Sequence, residues 1–243
     1  MMNTNINLFC LPFAGGNKYS YRGYGEKAPS FLNVTTLEYP GRGARMKEPF
    51  ICDIEALVND MYKQISEKVD QMYYAIYGHS LGGLVAYLLT RTLIENNHKA
   101  PLHLFITGTS GPSATSRFDR KRHLLPKKEF IEEMKEFDGI PDEILQNEEL
   151  FDYFEPILRA DFKASENYVY ENYAPLDIPF TVITGTEEDM EIADIHLWQK
   201  ETRCIADFRQ IPGRHFFIFK YPSKIVEIIS KKLSVHPKLT NYE

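Results

Sequence analysis

The segment Tyr77-Gly78-His79-Ser80-Leu81-Gly82-Gly83 constrains this chain more than any other. A short β-rich run, Tyr73–Tyr77, ends at it, and a strongly apolar stretch, Leu81–Ile94, begins within it. A serine with glycine two residues away on either side, between a strand and a helix, marks a very sharp turn with the serine at its apex. The backbone there is strained, and side chains at the two glycine positions would collide. The helix start beneath the serine offers backbone N–H groups to a developing negative charge. Such a turn needs a sheet strand before it and a packed helix behind it, so the chain is expected to fold as an α/β protein.

The rest of the chain repeats the alternation. Strands are expected over Asn5–Leu11, Val34–Tyr39, Tyr73–Tyr77, Leu102–Thr107, Phe180–Thr184 and Asp207–Ile211, short runs rich in β-branched and aromatic residues and bounded by Gly, Pro or Ser. Helical periodicity falls between them: Ile54, Leu57, Val58, Met61, Ile65 and Val69 lie on one stripe, and further helices are expected over Leu81–Ile94, Ile192–Arg203 and Ser223–Leu233. Alternating strand and helix predicts a mostly parallel central sheet covered by helices on both faces. The 243 residues are enough for such a core without a metal or disulfide. Residues 116–173 break the pattern, with helices expected over Lys127–Phe137, Pro141–Gln146, Glu148–Leu158 and Arg159–Tyr170 and no strand. That length exceeds one crossover, so it reads as a helical lid inserted into a core made of residues 1–115 and 174–243. Most of its apolar side chains are expected in the lid's own core, and Trp198 in the main core.

A serine nucleophile needs a base and an acid that orients it, in the chain order Ser, Asp or Glu, His for this kind of turn. Of the seven histidines, His215 in Ile211-Pro212-Gly213-Arg214-His215 directly follows the last strand, where a loop can reach Ser80. His79 sits beside the serine with its side chain expected to point elsewhere. His98 and His103 flank the fourth strand, His123 lies in a basic run, His196 looks helical and His236 is in the polar tail. The acid should follow the fifth strand, where Glu187, Glu188 and Asp189 all stand after Gly185. One of them should accept a hydrogen bond from the imidazole and fix its tautomer. The loop after the first strand, Leu11-Pro12-Phe13-Ala14-Gly15-Gly16, is placed to complete an oxyanion hole, with the N–H of Phe13 or Ala14 acting beside that of Leu81. The Gly15-Gly16-Asn17-Lys18 stretch lacks the spacing of a phosphate loop.

Several classes are excluded. No apolar run is long enough to span a bilayer, and Met1–Phe9 has no basic region ahead of its apolar segment, unlike a secretory signal. Three scattered cysteines, Cys10, Cys52 and Cys204, make neither a disulfide framework nor a zinc site and fit a reducing cytoplasm. A net charge of −6 argues against nucleic acid as the main partner.

The elbow, the Pro12–Gly16 loop and the histidine segment together resemble the type II thioesterases of the α/β-hydrolase fold, which act in trans on nonribosomal peptide and polyketide synthases. The animal medium-chain acyl thioesterase of fatty acid synthesis is a relative. The resemblance covers nearly the whole chain: LFCLPFAGG at Leu8–Gly16, YPGRG at Tyr39–Gly43, GHSLGG at Gly78–Gly83, then Leu125-Pro126 with Phe130, Gly139-Ile140-Pro141, and Leu158-Arg159-Ala160-Asp161-Phe162 with Glu166 and Tyr168. It implies a substrate held as a thioester on the phosphopantetheine arm of an acyl or peptidyl carrier protein, with no cofactor or metal of the enzyme's own and a monomeric state. Two departures stand out. The family's aspartate, three residues after the glycine ending the acid-bearing strand, falls on Glu188, although a longer turn would make Asp189 the acid. Arg214 stands where the family usually has glycine, either facing an anion or pointing to solvent. The basic residues Arg117, Arg120, Lys121, Arg122, Lys127 and Lys128 are expected either to form a solvated loop or to steer an acidic carrier protein. A general carboxylesterase and an acyltransferase share the same catalytic set and remain the rival readings.

Overall fold

The computed structural model describes residues 5–118, 121–137 and 142–235. Arg120, Gly139-Ile140-Pro141 and His236, singled out above, lie outside them. Six strands form one wholly parallel sheet: β1 (Ile6–Leu11), β2 (Leu32–Thr36), β3 (Tyr73–His79), β4 (Leu104–Thr107), β5 (Phe180–Gly185) and β6 (Asp207–Ile211), in the order β2-β1-β3-β4-β5-β6. The helices are α1 (Arg22–Gly25), α2 (Ile54–Val69), α3 (Leu81–Glu95), α4 (Lys127–Phe137), α5 (Asp142–Leu145), α6 (Glu148–Glu166), α7 (Ile192–His196), α8 (Phe217–Lys220) and α9 (Pro222–Ser234).

Strand side chains alternate between two cores, as a doubly covered sheet requires. Phe9, Leu11, Tyr74, Ile76, Leu104, Ile106, Phe180 and Val182 pack with α2 and α3 on one face. Ile6, Leu8, Cys10, Ala75, Tyr77, Phe105 and Ile183 pack with α8 and α9 on the other. The α2 stripe is buried as its periodicity predicts, and Asp53 caps the helix by accepting the Ala56 N–H. Trp198 is fully buried, and its indole N–H donates to the Thr109 carbonyl.

Three expectations need correction. The second strand ends at Thr36, because Glu38 and Tyr39 are spent on loops: Glu38 accepts the N–H groups of Lys18 and Ala44, and the Tyr39 hydroxyl donates to the Pro12 carbonyl. The two helices expected over 148–158 and 159–170 are one, α6, running through Pro156 to Glu166. Its buried positions Phe151, Ile157, Leu158, Asp161 and Ala164 keep one face docked across the proline. The helix expected over Ile192–Arg203 is α-helical only to His196 and then tightens into a 3-10 turn over Leu197–Glu201. Glu201 in that turn is buried and accepts the hydroxyls of Tyr87 and Tyr170.

Strand register sets the site. Leu11 pairs with Gly78, so the loops leaving β1 and β3 emerge side by side where the strand order reverses. Gly185 pairs with Ile211, so the loops leaving β5 and β6 emerge together.

Candidate active site

Ser80 follows β3 with φ 55° and ψ −119°, a conformation unfavourable for any residue with a side chain. Its side chain makes no capping bond to α3, which leaves the hydroxyl uncommitted to the helix. The neighbouring glycines are sterically required. A Cβ on Gly78 would lie 2.0 Å from the Gly82 carbonyl oxygen, and one on Gly82 would lie 2.2 Å from that of Leu11. The first turn of α3 therefore backs directly onto the chain entering the Phe13–Ala14 loop. The Ser80 N–H is bound to the Thr107 carbonyl of β4 at 2.8 Å, pinning the turn from the other side.

His215 Nδ1 lies 2.6 Å from Glu188 Oε1. A carboxylate only accepts, so Nδ1 carries the proton and Nε2 is left with its lone pair. The second Glu188 oxygen accepts the Gly185 N–H at 2.6 Å, and the carboxylate is almost wholly buried. Two backbone bonds join the β5 and β6 loops: Thr186 N–H to the Ile211 carbonyl and Glu187 N–H to the Gly213 carbonyl, both 3.0 Å. Of the three neighbouring carboxylates, Glu188 is brought within hydrogen-bond distance of the histidine.

Ser80, His215, Glu188 and Asp189 line one cavity of about 470 Å³, with Arg117, Phe137 and Phe162 also on its wall. Phe13, Ala14 and Leu81 are not in that wall; the Phe13 ring instead packs edge-on against Phe216, with ring centres 5.0 Å apart. His79 is not in that wall either: its ring is fully buried with Nδ1 3.0 Å from Thr107 Oγ1, and it packs against His215 with ring centres 4.8 Å apart. Burial, and secondarily repulsion from His215, holds its pKa well below the ordinary value, so it stays neutral.

The family model described as "Thioesterase domain" matches residues 6–233. The chain belongs to the thioesterase family. This thioesterase is similar to the gramicidin S biosynthesis protein GrsT of Aneurinibacillus migulanus, at 29% identity over 239 residues covering 96% of this chain and 93% of the relative. Among solved structures it resembles ClbQ from the colibactin NRPS/PKS pathway, with TM-score 0.89 and 29% identity, covering 97% of this chain and 100% of that one. It also resembles the type II thioesterase BorB from the borrelidin biosynthetic cluster, with TM-score 0.86 and 28% identity over 95% of this chain and 93% of that one. The fold is that of the α/β-hydrolases.

The basic run divides in this thioesterase: Arg117 and Arg122 are tied into the fold, while Lys121 and Lys128 are exposed and Lys127 is partly so. Arg117 is drawn inward to the Gly111 and Ser110 carbonyls, and burial lowers its pKa to about 10. Lys121 donates to the Glu166 carbonyl, and Lys127 bonds Asp152. The Arg122 guanidinium bonds Glu133 and lies 4.8 Å from the centre of the Phe137 ring. Arg214 is exposed and has no carboxylate partner among the described residues; its Nη2 donates to the Glu136 carbonyl at 2.7 Å. That ties the histidine loop to the end of α4, where the Phe137 ring sits 5.1 Å from that of His215.

Sequence reasoning missed Arg42 and Asp161 as more than family markers. They form a buried ion pair. An available signal was an aspartate on the otherwise apolar face of α6.

Proposed function

We propose that this thioesterase hydrolyses acyl groups from the phosphopantetheine arm of an acyl or peptidyl carrier protein, acting in trans to clear stalled or incorrect units in nonribosomal peptide or polyketide synthesis. The observation that carries the reading is Ser80, held at φ 55° and opening onto the same cavity as a histidine bonded to a buried carboxylate. The likeness to ClbQ and BorB supports the pathway class.

In this reading His215 Nε2 takes the Ser80 hydroxyl proton as Oγ attacks the thioester carbonyl carbon. The carbonyl electron pair moves onto oxygen, and the N–H groups of Phe13 or Ala14 and of Leu81 stabilise it. The intermediate collapses, the carbon–sulfur bond breaks, and His215 returns the proton to the departing pantetheine thiol. Water then enters, loses a proton to His215 and attacks the acyl-Ser80 ester, releasing the free acid and the serine. Glu188 holds the imidazole in the tautomer that leaves Nε2 basic and stabilises the imidazolium formed in each half. Residues 116–173 act as a lid on a core of residues 1–115 and 174–243, with Phe137 and Phe162 facing the acyl chain. The enzyme works as a monomer without a cofactor of its own. A cytoplasmic setting is supported by the three free cysteines; among the described residues, no helix is long and apolar enough to cross a membrane.

The test is to incubate the protein with an acyl-loaded carrier protein and follow loss of the acyl mass by intact-protein mass spectrometry. Free esters and the Ser80→Ala variant run alongside. Ser80-dependent deacylation faster than free-ester turnover is expected. Ester turnover without deacylation overturns the reading in favour of a general esterase.

A further inference from the structure

Three segments far apart in the chain meet at one buried ion pair. Arg42, in the turn after β2, donates through Nη1 to Asp161 Oδ2 at 2.6 Å and through Nη2 to Oδ1 at 2.7 Å. The two side chains are only 5% and 1% exposed. The same Oδ2 accepts the Gly15 N–H at 2.7 Å, and Arg42 Nη1 also donates to the Gly16 carbonyl at 3.2 Å. The pair thus grips the loop after β1 at two successive residues.

That loop is a β-turn over Phe13–Gly16, closed by the Gly16 N–H on the Phe13 carbonyl at 2.8 Å, with Gly15 at φ +78°. A Cβ on Gly15 would lie 2.7 Å from Leu158 Cδ2, so α6 rests directly on the turn. Burial alone would lower the Arg42 pKa, but Asp161 more than offsets it, and Arg42 stays charged. Apolar side chains of similar size generally replace a buried ion pair without loss of stability. They cannot accept the Gly15 N–H. Phe13 and Ala14, whose N–H groups the proposed reaction uses, lie inside the same turn.

We propose that the Arg42–Asp161 pair is a positioning device for the oxyanion hole. Asp161, on the helical insertion, holds Gly15, and Arg42 holds Asp161. The Phe13–Ala14 backbone is then aimed at Ser80 only while α6 is seated on the turn. The inference rests on assigning the oxyanion donors to that loop. It makes Arg42 and Asp161 positioning residues that act through the backbone and touch no substrate.

Two double variants test it. Arg42→Met with Asp161→Leu removes both charges and the acceptor for Gly15. Arg42→Met with Asp161→Asn removes both charges but keeps an oxygen at that place. Each is followed by kcat and KM on an acyl-pantetheine thioester, by thermal midpoint, and by the rate at which a fluorophosphonate modifies Ser80. The last readout needs the oxyanion hole but no thioester, so a wrong substrate class and a wrong positioning role fail separately.

The leucine pair is expected to lose about 10²-fold in kcat and in phosphonylation rate, the scale of a displaced catalytic group, with KM within about threefold. The asparagine pair should recover at least about tenfold of that loss. Equal loss in both pairs, or less than about threefold loss in a cooperatively melting leucine pair, overturns the proposal. If neither pair folds, Arg42→Lys keeps the charge but loses the two-pronged grip. It should lower kcat about tenfold at unchanged KM, and an unchanged kcat overturns the proposal there.

Discussion

Around Ser80 the backbone itself enforces the geometry. Gly78 and Gly82 have no room for a Cβ, the Ser80 N–H is tied to β4, and register alone places Leu11 beside Gly78. The helical insertion between β4 and β5 is held differently, by side chains that reach across. Arg42 meets Asp161 and Arg214 meets the Glu136 carbonyl, while inside the insertion Glu166 accepts from His123 and the Arg122 N–H. It has its own small apolar core of Phe130, Met134, Leu145, Phe151 and Leu158. Steric confinement of a backbone is all-or-none, whereas a set of polar ties is graded and replaceable one at a time. The surroundings of Ser80 are therefore the sterically fixed half of the molecule, and the insertion is the adjustable half.

The largest expected effect breaks the sterically fixed half. Ser80→Gly should abolish turnover by about 10⁴-fold or more. It should also raise the thermal midpoint by a few degrees, because glycine takes φ 55° without strain. A lowered midpoint contradicts the strain argument. Next, Glu188→Gln should reduce kcat by about 10⁴-fold, by analogy with other triads, while Asp189→Asn changes it by no more than about threefold. Reversed effects would move the acid by one residue.

The graded half predicts smaller changes. Arg214→Ala frees the end of α4 from the histidine loop. KM for acyl thioesters should shift about three- to tenfold while phosphonylation of Ser80 stays within about twofold; a matching fall in phosphonylation would place Arg214 with the reaction centre. Buried His79 gives a pH effect of fixed sign. Its pKa is depressed in the fold, so below its ordinary value of 6.5 the unfolded chain binds a proton that the native state refuses. Stability should fall as pH drops below that value, by at most about 1.4 kcal/mol per pH unit from this group. Urea midpoints at pH 5.5 and 7.5 should converge in His79→Gln relative to the parent. The smallest effect belongs to the exposed Lys127–Asp152 bridge. Lys127→Met should leave the thermal midpoint unchanged within a degree or so.

The Gly78–Gly83 segment, the strand–helix alternation and the order Ser80, acid, His215 were legible because each is a local pattern: a steric demand of one turn, a period of two or 3.6, a position after a strand. They were enough to specify an α/β sheet with a nucleophile-elbow turn; the family came from the resemblance of the Leu8–Gly16, Tyr39–Gly43, Gly78–Gly83 and lid motifs. The identity of the carboxylate on His215 was open, since three neighbours share one turn and differ only in where its backbone bonds to the β6 loop aim them. The partners of Arg117, Arg122 and Arg214 were open for the same reason: a charge in sequence carries no record of the carbonyl or carboxylate it will meet. The seat of Asp161 against Gly15 lies 146 residues along the chain from its partner. Local chemistry wrote the elements and the sharp turn at Ser80 into the sequence. Which distant groups close on one another was decided only by the tertiary structure, because hydrogen bonds and ion pairs depend on distances that packing alone sets.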